Sequence, residues 1–150
     1  MTQPRVRANI RAFLNLIENG SAQAEHKLEV LLDQLACARH EIAKVMDAGE
    51  DPDLPKKDYD ETLALVKTQF AGFGYYNVSE ILGDMHEPGS LVGDAGSDVV
   101  HIYTELDAVE QLWRSQGEKK ALGHFAATFD LHWGGHLRWL QVYLLELRRG

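Results

Sequence analysis

The sequence predicts an all-α protein, an antiparallel up-down bundle of four to five helices forming one domain over residues 1–150. Apolar residues recur at three- and four-residue spacing through long stretches, the period of a helix face. No stretch alternates apolar with polar residues, and no turn dipeptide joins two alternating runs, so neither strands nor hairpins are expected. Stop and start residues separate the periodic stretches by connections short enough for neighbours to pack antiparallel.

The first helix is read over residues 5–19, where Val6, Ile10, Phe13, Leu14 and Ile17 share a face. Asn19-Gly20 supplies a left-handed stop. Ser21 then caps a longer helix over 22–48, with Leu28, Leu31, Leu32 and Leu35 in its apolar row and Gly49 beyond its end. Pro52 and Pro55 mark a loop. Asp58 with Glu61 is a capping box opening a third helix, whose face is Tyr59, Leu63, Val66, Phe70 and Phe73. Tyr75 to Leu82 reads as one or two helical turns, and Gly83–Gly96, with four glycines and Pro88, as irregular chain. Ser97 or Asp98 caps a fourth helix built on Val99, Ile102, Tyr103, Leu106, Val109, Leu112 and Trp113, ended by Gly117. A fifth runs from near Glu118 to Arg148 along Leu122, Phe125, Phe129, Trp133, His136, Leu140 and Leu144.

Composition excludes several classes. With 45% hydrophobic and 25% charged residues the chain has the balance of a soluble globular domain. The net charge of −8 is concentrated in two connecting regions; residues 80–98 hold five acids and no Lys or Arg. No basic stripe meets a phosphate backbone, so nucleic acid is not an expected partner. No apolar run is long enough for a membrane span, and no secretory signal precedes the first helix, so the expected compartment is the cytoplasm. A single cysteine, Cys37, allows no intramolecular disulfide and reads as a core thiol beside His40. Phosphate-cradling loops, nucleophile elbows and the His-Glu-x-x-His pattern are all absent.

The most specific local pattern is His132-Trp133-Gly134-Gly135-His136. Histidines four apart share a helical face, which suits joint coordination of one ion. His101 and Glu105 repeat the spacing on the preceding helix, so the two pairs can face each other as bundle metal sites do. His26, His40 and His86 have no such pairing. The alternative is that these histidines are hydrogen-bonded residues of the core or its margin. Gly134-Gly135 inside a helical pattern needs a reason, since each glycine costs about 1 kcal/mol against alanine; close approach of another helix or a kink supplies one.

Three blocks carry a family likeness: Tyr75-Tyr76, the run Ser97-Asp98-Val99-Val100-His101-Ile102-Tyr103-Thr104-Glu105-Leu106, and His132-Trp133-Gly134-Gly135-His136. In order and spacing the chain resembles the domain of unknown function 5063 family, a bacterial group. The resemblance implies a helical bundle and no particular activity.

The leading functional expectation is a non-enzymatic interaction or regulatory module with no cofactor. The alternative is a metal-binding bundle, enzyme or sensor, holding a divalent ion such as zinc or iron through His132, His136, His101 and Glu105. A small-molecule pocket lined by Trp133, Phe129 and Tyr103 is a third reading. From Leu137 to Leu147 only Arg138 and Glu146 are charged, so apolar residues surround the helix. Trp139 and Tyr143 are therefore candidate interface residues for a homodimer or another protein partner.

Overall fold

The computed structural model describes residues 3–42, 53–79, 81–86 and 91–150. It is an all-α bundle of helices α1 (Gln3–Asn19), α2 (Ala24–Glu41), α3 (Tyr59–Gln69), α4 (Ala95–Gln116), α5 (Glu118–Thr128) and α6 (Gly134–Arg149). A π-helical turn, Phe129–Trp133, joins α5 to α6 without a non-helical residue between them. The expected fifth helix is thus present along its length, but with one widened turn inside it.

Helix α4 is the hub, packing on α1, α3, α5 and α6, while α1 packs on α2 and α2 on α6. The periodic residues are where the core is. Val6, Ile10, Phe13 and Ile17, Leu28, Leu32 and Leu35, and Val99, Ile102, Leu106, Val109 and Leu112 all belong to one buried core. Gly20 ends α1 at φ 71°, donating its N–H to the Leu16 carbonyl. Asp58 caps α3 as the capping box requires, its side chain accepting from the Glu61 N–H.

Several expectations are corrected. Ser21 does not cap α2: Gln23, in a left-handed conformation, precedes it, and Ile42 turns extended after Glu41. The expected continuation to Ala48 and the Gly49 stop lie outside the described residues. Tyr75 to Val78 is a strand, β1, paired antiparallel with β2 (Leu91–Asp94) in the register Tyr75↔Asp94, Tyr76↔Gly93, Asn77↔Val92, Val78↔Leu91. Two aromatics and a valine favour the pleated conformation, and the connection between the strands is too long to read as a hairpin turn. Helix α4 starts earlier than expected, because Asp94 rather than Ser97 or Asp98 is its cap, accepting from the Ser97 N–H. That frees Asp98 for another role. Cys37 is exposed, not a core thiol. No helix among the described residues is long and apolar enough to cross a membrane.

Tyr143 is used inside the fold. Its ring lies against Phe73 and Tyr76, each at 5.4 Å between centroids, and its hydroxyl accepts from the Gly74 N–H. Trp139 is half-buried. Arg138, Val142 and Glu146 form the exposed side of α6, while Leu137, Leu140 and Leu144 are buried.

Candidate metal centre

The expected meeting of helices four and five takes place. One ring nitrogen from each of His101, His132 and His136 lies within 4.8 Å of the other two. The rings are in mutual contact: His101 stacks on His136 at 4.4 Å between centroids, and His132 stands edge-on to both at 5.2 and 5.0 Å. His101 is presented by the first turns of α4, His132 by the π turn and His136 by the first turn of α6.

The π turn explains the double glycine. The Gly134 N–H bonds to the Phe129 carbonyl five residues back, and a Cβ at Gly134 would lie 2.4 Å from that oxygen and 2.8 Å from the Phe129 ring. No side chain fits there. A Cβ at Gly135 would meet nothing within 4 Å, so only the first glycine is demanded by packing. Two further contacts hold the turn. Arg39 of α2 grips Asp130 with two hydrogen bonds of 3.0 and 2.7 Å. The buried Trp133 indole donates to the Thr128 hydroxyl at 3.0 Å, with its ring edge-on to Phe125 and Phe129. Trp133 and Tyr103 are fully buried and Phe129 nearly so; they are core residues.

Asp98 is the residue that sequence reasoning missed. Its carboxylate, 5% exposed, sits 2.7 Å from His136 Nδ1 and accepts the Tyr76 hydroxyl on its other oxygen. An ionised carboxylate only accepts hydrogen bonds, so Nδ1 is the donor, and in the neutral ring Nε2 carries the lone pair. A carboxylate behind an imidazole in this way orients a metal-ligating histidine and raises its basicity. The available signal was spacing: Asp98 stands one helical turn before His101 on the same helix. Tyr76 reaches Asp98 because its strand partner is Gly93, where a Cβ would lie 2.3 Å from the phenol ring. Burial, together with the Asp98 carboxylate, holds the Tyr76 hydroxyl protonated far above its ordinary range.

Glu105 stands beside the group, not in it. Its Oε1 is 3.9 Å from His132 Nδ1, beyond hydrogen-bond reach. Among the described residues the close group contains three imidazoles and no carboxylate. Burial lowers the His101 pKa first, and the neighbouring His136 and His132 lower it further, with Asp98 opposing them. The neutral ring is the ligand form. His26, His40 and His86 lie outside this group.

The nitrogens are not yet at bonding separation. A tetrahedral ion with bonds of about 2.1 Å draws its ligand atoms to about 3.4 Å apart, so small ring rotations are required. His132 is 44% exposed and His136 28%, which leaves them room to make these rotations.

No protein-family model and no curated protein matches the sequence. A crystal structure of protein BF1032 from Bacteroides fragilis is similar in fold, with a TM-score of 0.70 over 95% of this chain and 87% of that one. At 17% identity the likeness shows a shared fold and nothing about chemistry.

Proposed function

We propose that the protein is a metal-binding helical bundle that holds one divalent transition ion through His101, His132 and His136. The observation that carries this reading is the convergence of three imidazole nitrogens within 4.8 Å. Three nitrogen donors suit zinc or iron(II) and leave a fourth position for water or substrate, as catalytic and sensing sites do. Asp98 and Tyr76 support it, since a carboxylate on the other ring nitrogen is what orients a metal-ligating histidine. The test is metal analysis of tag-free protein after zinc loading and exhaustive dialysis. One equivalent is expected, lost in the His132→Ala/His136→Ala double variant, whose fold is checked by circular dichroism. Wild-type protein that retains no zinc rejects the reading.

The interaction-module reading keeps one observation of its own. Ile81, Leu82, Met85 and Val92, on and beside the hairpin, are 83%, 99%, 89% and 72% exposed. Apolar surface of this kind suits a homodimer or another protein partner. Light scattering decides between self-association and a monomer: a mass of 16.9 kDa at every concentration removes the homodimer.

A further inference from the structure

The candidate ion does not face bulk solvent alone. A cleft of about 280 Å³ lies against His132 and Glu105, with Leu54, Ala108, Thr128 and Leu131 among its other walls. At ~30 Å³ per water molecule this is room for roughly nine small groups. His132 therefore belongs both to the ligand triad and to the cleft wall. An ion held by the triad has one uncommitted position, and the cleft adjoins the triad at His132.

The two carboxylates near the triad differ in a way that bears on this space. Asp98 is buried and engaged by both Tyr76 and His136. Glu105 is 23% exposed, lines the cleft, and makes no hydrogen bond with the triad. It is close enough to act on a group bound to the ion and too far to replace the third imidazole. Of the charged residues further along the cleft, Lys57 and Asp107 are already matched, and Lys56 lines it as well. Lys57 donates to the Tyr103 hydroxyl at 2.7 Å and pairs with Glu18, and Asp107 accepts from Gln111. The cleft walls expose more apolar than polar surface to a ligand.

Building on the metal reading above, we propose that the fourth coordination position opens into this cleft and takes the hydroxyl oxygen of a small hydroxamic-acid compound with an apolar body, with Glu105 accepting the proton released. The N–O–H proton passes to Glu105 as the oxygen bonds to the ion, and no oxidant or reductant is involved.

The experiment uses cobalt(II)-loaded protein and acetohydroxamic acid as the probe. Metal content is measured first and separately. The visible cobalt bands are expected to shift on titration with the probe. Leu131→Trp, at a position 86% exposed, fills the cleft mouth without touching the core. It is expected to keep one cobalt and weaken probe binding at least tenfold. Glu105→Gln is expected to keep the metal and weaken the probe to a similar degree. Cobalt bound at one equivalent with bands that the probe does not move overturns the open position while leaving the metal reading intact. So does a probe affinity unchanged in both variants. Loss of cobalt in Glu105→Gln makes Glu105 a fourth ligand and overturns the proposal. Wild-type protein that takes up no cobalt overturns the metal reading, and this proposal with it.

Discussion

Helix α4 buries a carboxylate toward each end, and the two are held by different chemistry. Glu110, 1% exposed, receives two hydrogen bonds from Arg7 of α1 at 2.9 and 3.3 Å, with Arg114 at 3.4 Å and Arg11 at 3.9 Å. Asp98 is held by a phenol and an imidazole. Guanidinium groups are permanently charged and have no lone pair to offer; the Glu110 cluster fastens α1 to α4 and is chemically closed. The imidazole on Asp98 has a second nitrogen that is free to bind. A buried carboxylate therefore says little by itself. What distinguishes a fastening from a site is whether its partners have bonding capacity left over.

The comparison breaks most visibly at Arg7. Replacing it by alanine leaves the Glu110 carboxylate buried with only its longer contacts, and is expected to cost about 3–5 kcal/mol in urea unfolding, with zinc stoichiometry unchanged. The pH dependence gives the sign. Burial raises the Glu110 pKa, but the Arg7 hydrogen bond and charge, helped by Arg114 and Arg11, overcome it and hold it below the ordinary 4.5. This contribution is fully present above pH 4.5 and is lost as pH falls through the depressed value. In Arg7→Ala the loss is expected to begin at higher pH, because burial then opposes ionisation with less compensation.

At the other end the expected effect is on the ion. Asp98→Asn preserves shape but weakens the support behind His136, and zinc affinity is expected to fall 10–100-fold with little change in stability. An unchanged affinity would place Asp98 with Glu110 as a fastening. The smallest effects come from the glycine pair. Gly134→Ala forces a Cβ against the Phe129 carbonyl and is expected to cost about 1 kcal/mol or more. Gly135→Ala enters open space within a helix and is expected to stabilise by up to about 1 kcal/mol. Thermal unfolding of both variants checks the contrast; equal shifts would remove the π turn as the reason for Gly134.

The helices were legible because burial in a bundle writes its period into the chain: Val6, Ile10, Phe13 and Ile17, or Ile102, Leu106 and Val109, can be read without coordinates. The triad was legible for the same reason, since His132 and His136 share a face and His101 lies on the next helix. The strands were not. Tyr75-Tyr76-Asn77-Val78 is too short for a period to establish itself, and its partner Leu91–Asp94 lies across a connection far longer than a tight hairpin turn. Asp98 was misread because an acid at a helix start ordinarily caps it, a task that Asp94 performs here. Glu105 was expected as a ligand because sequence spacing assigns a face and not a reach. The π turn left a trace in Gly134, whose specific cause only the packing against Phe129 reveals.

The stretch before α3 forms one wall of the cleft and is tied down at two points. The Pro55 carbonyl accepts from the Gln111 amide at 3.1 Å, and Lys57 is clamped between Tyr103 and Glu18. The Tyr103 hydroxyl donates to Glu18 at 2.6 Å, and its pKa is pushed up to about 12, by burial first and then by Glu18. The wall is therefore ordered as part of folding, and a guest entering the cleft does not have to immobilise it. Binding to such a preformed surface avoids the entropy loss that a floppy loop imposes on association. In the proposed site, selection among guests therefore rests on fit to a fixed outline.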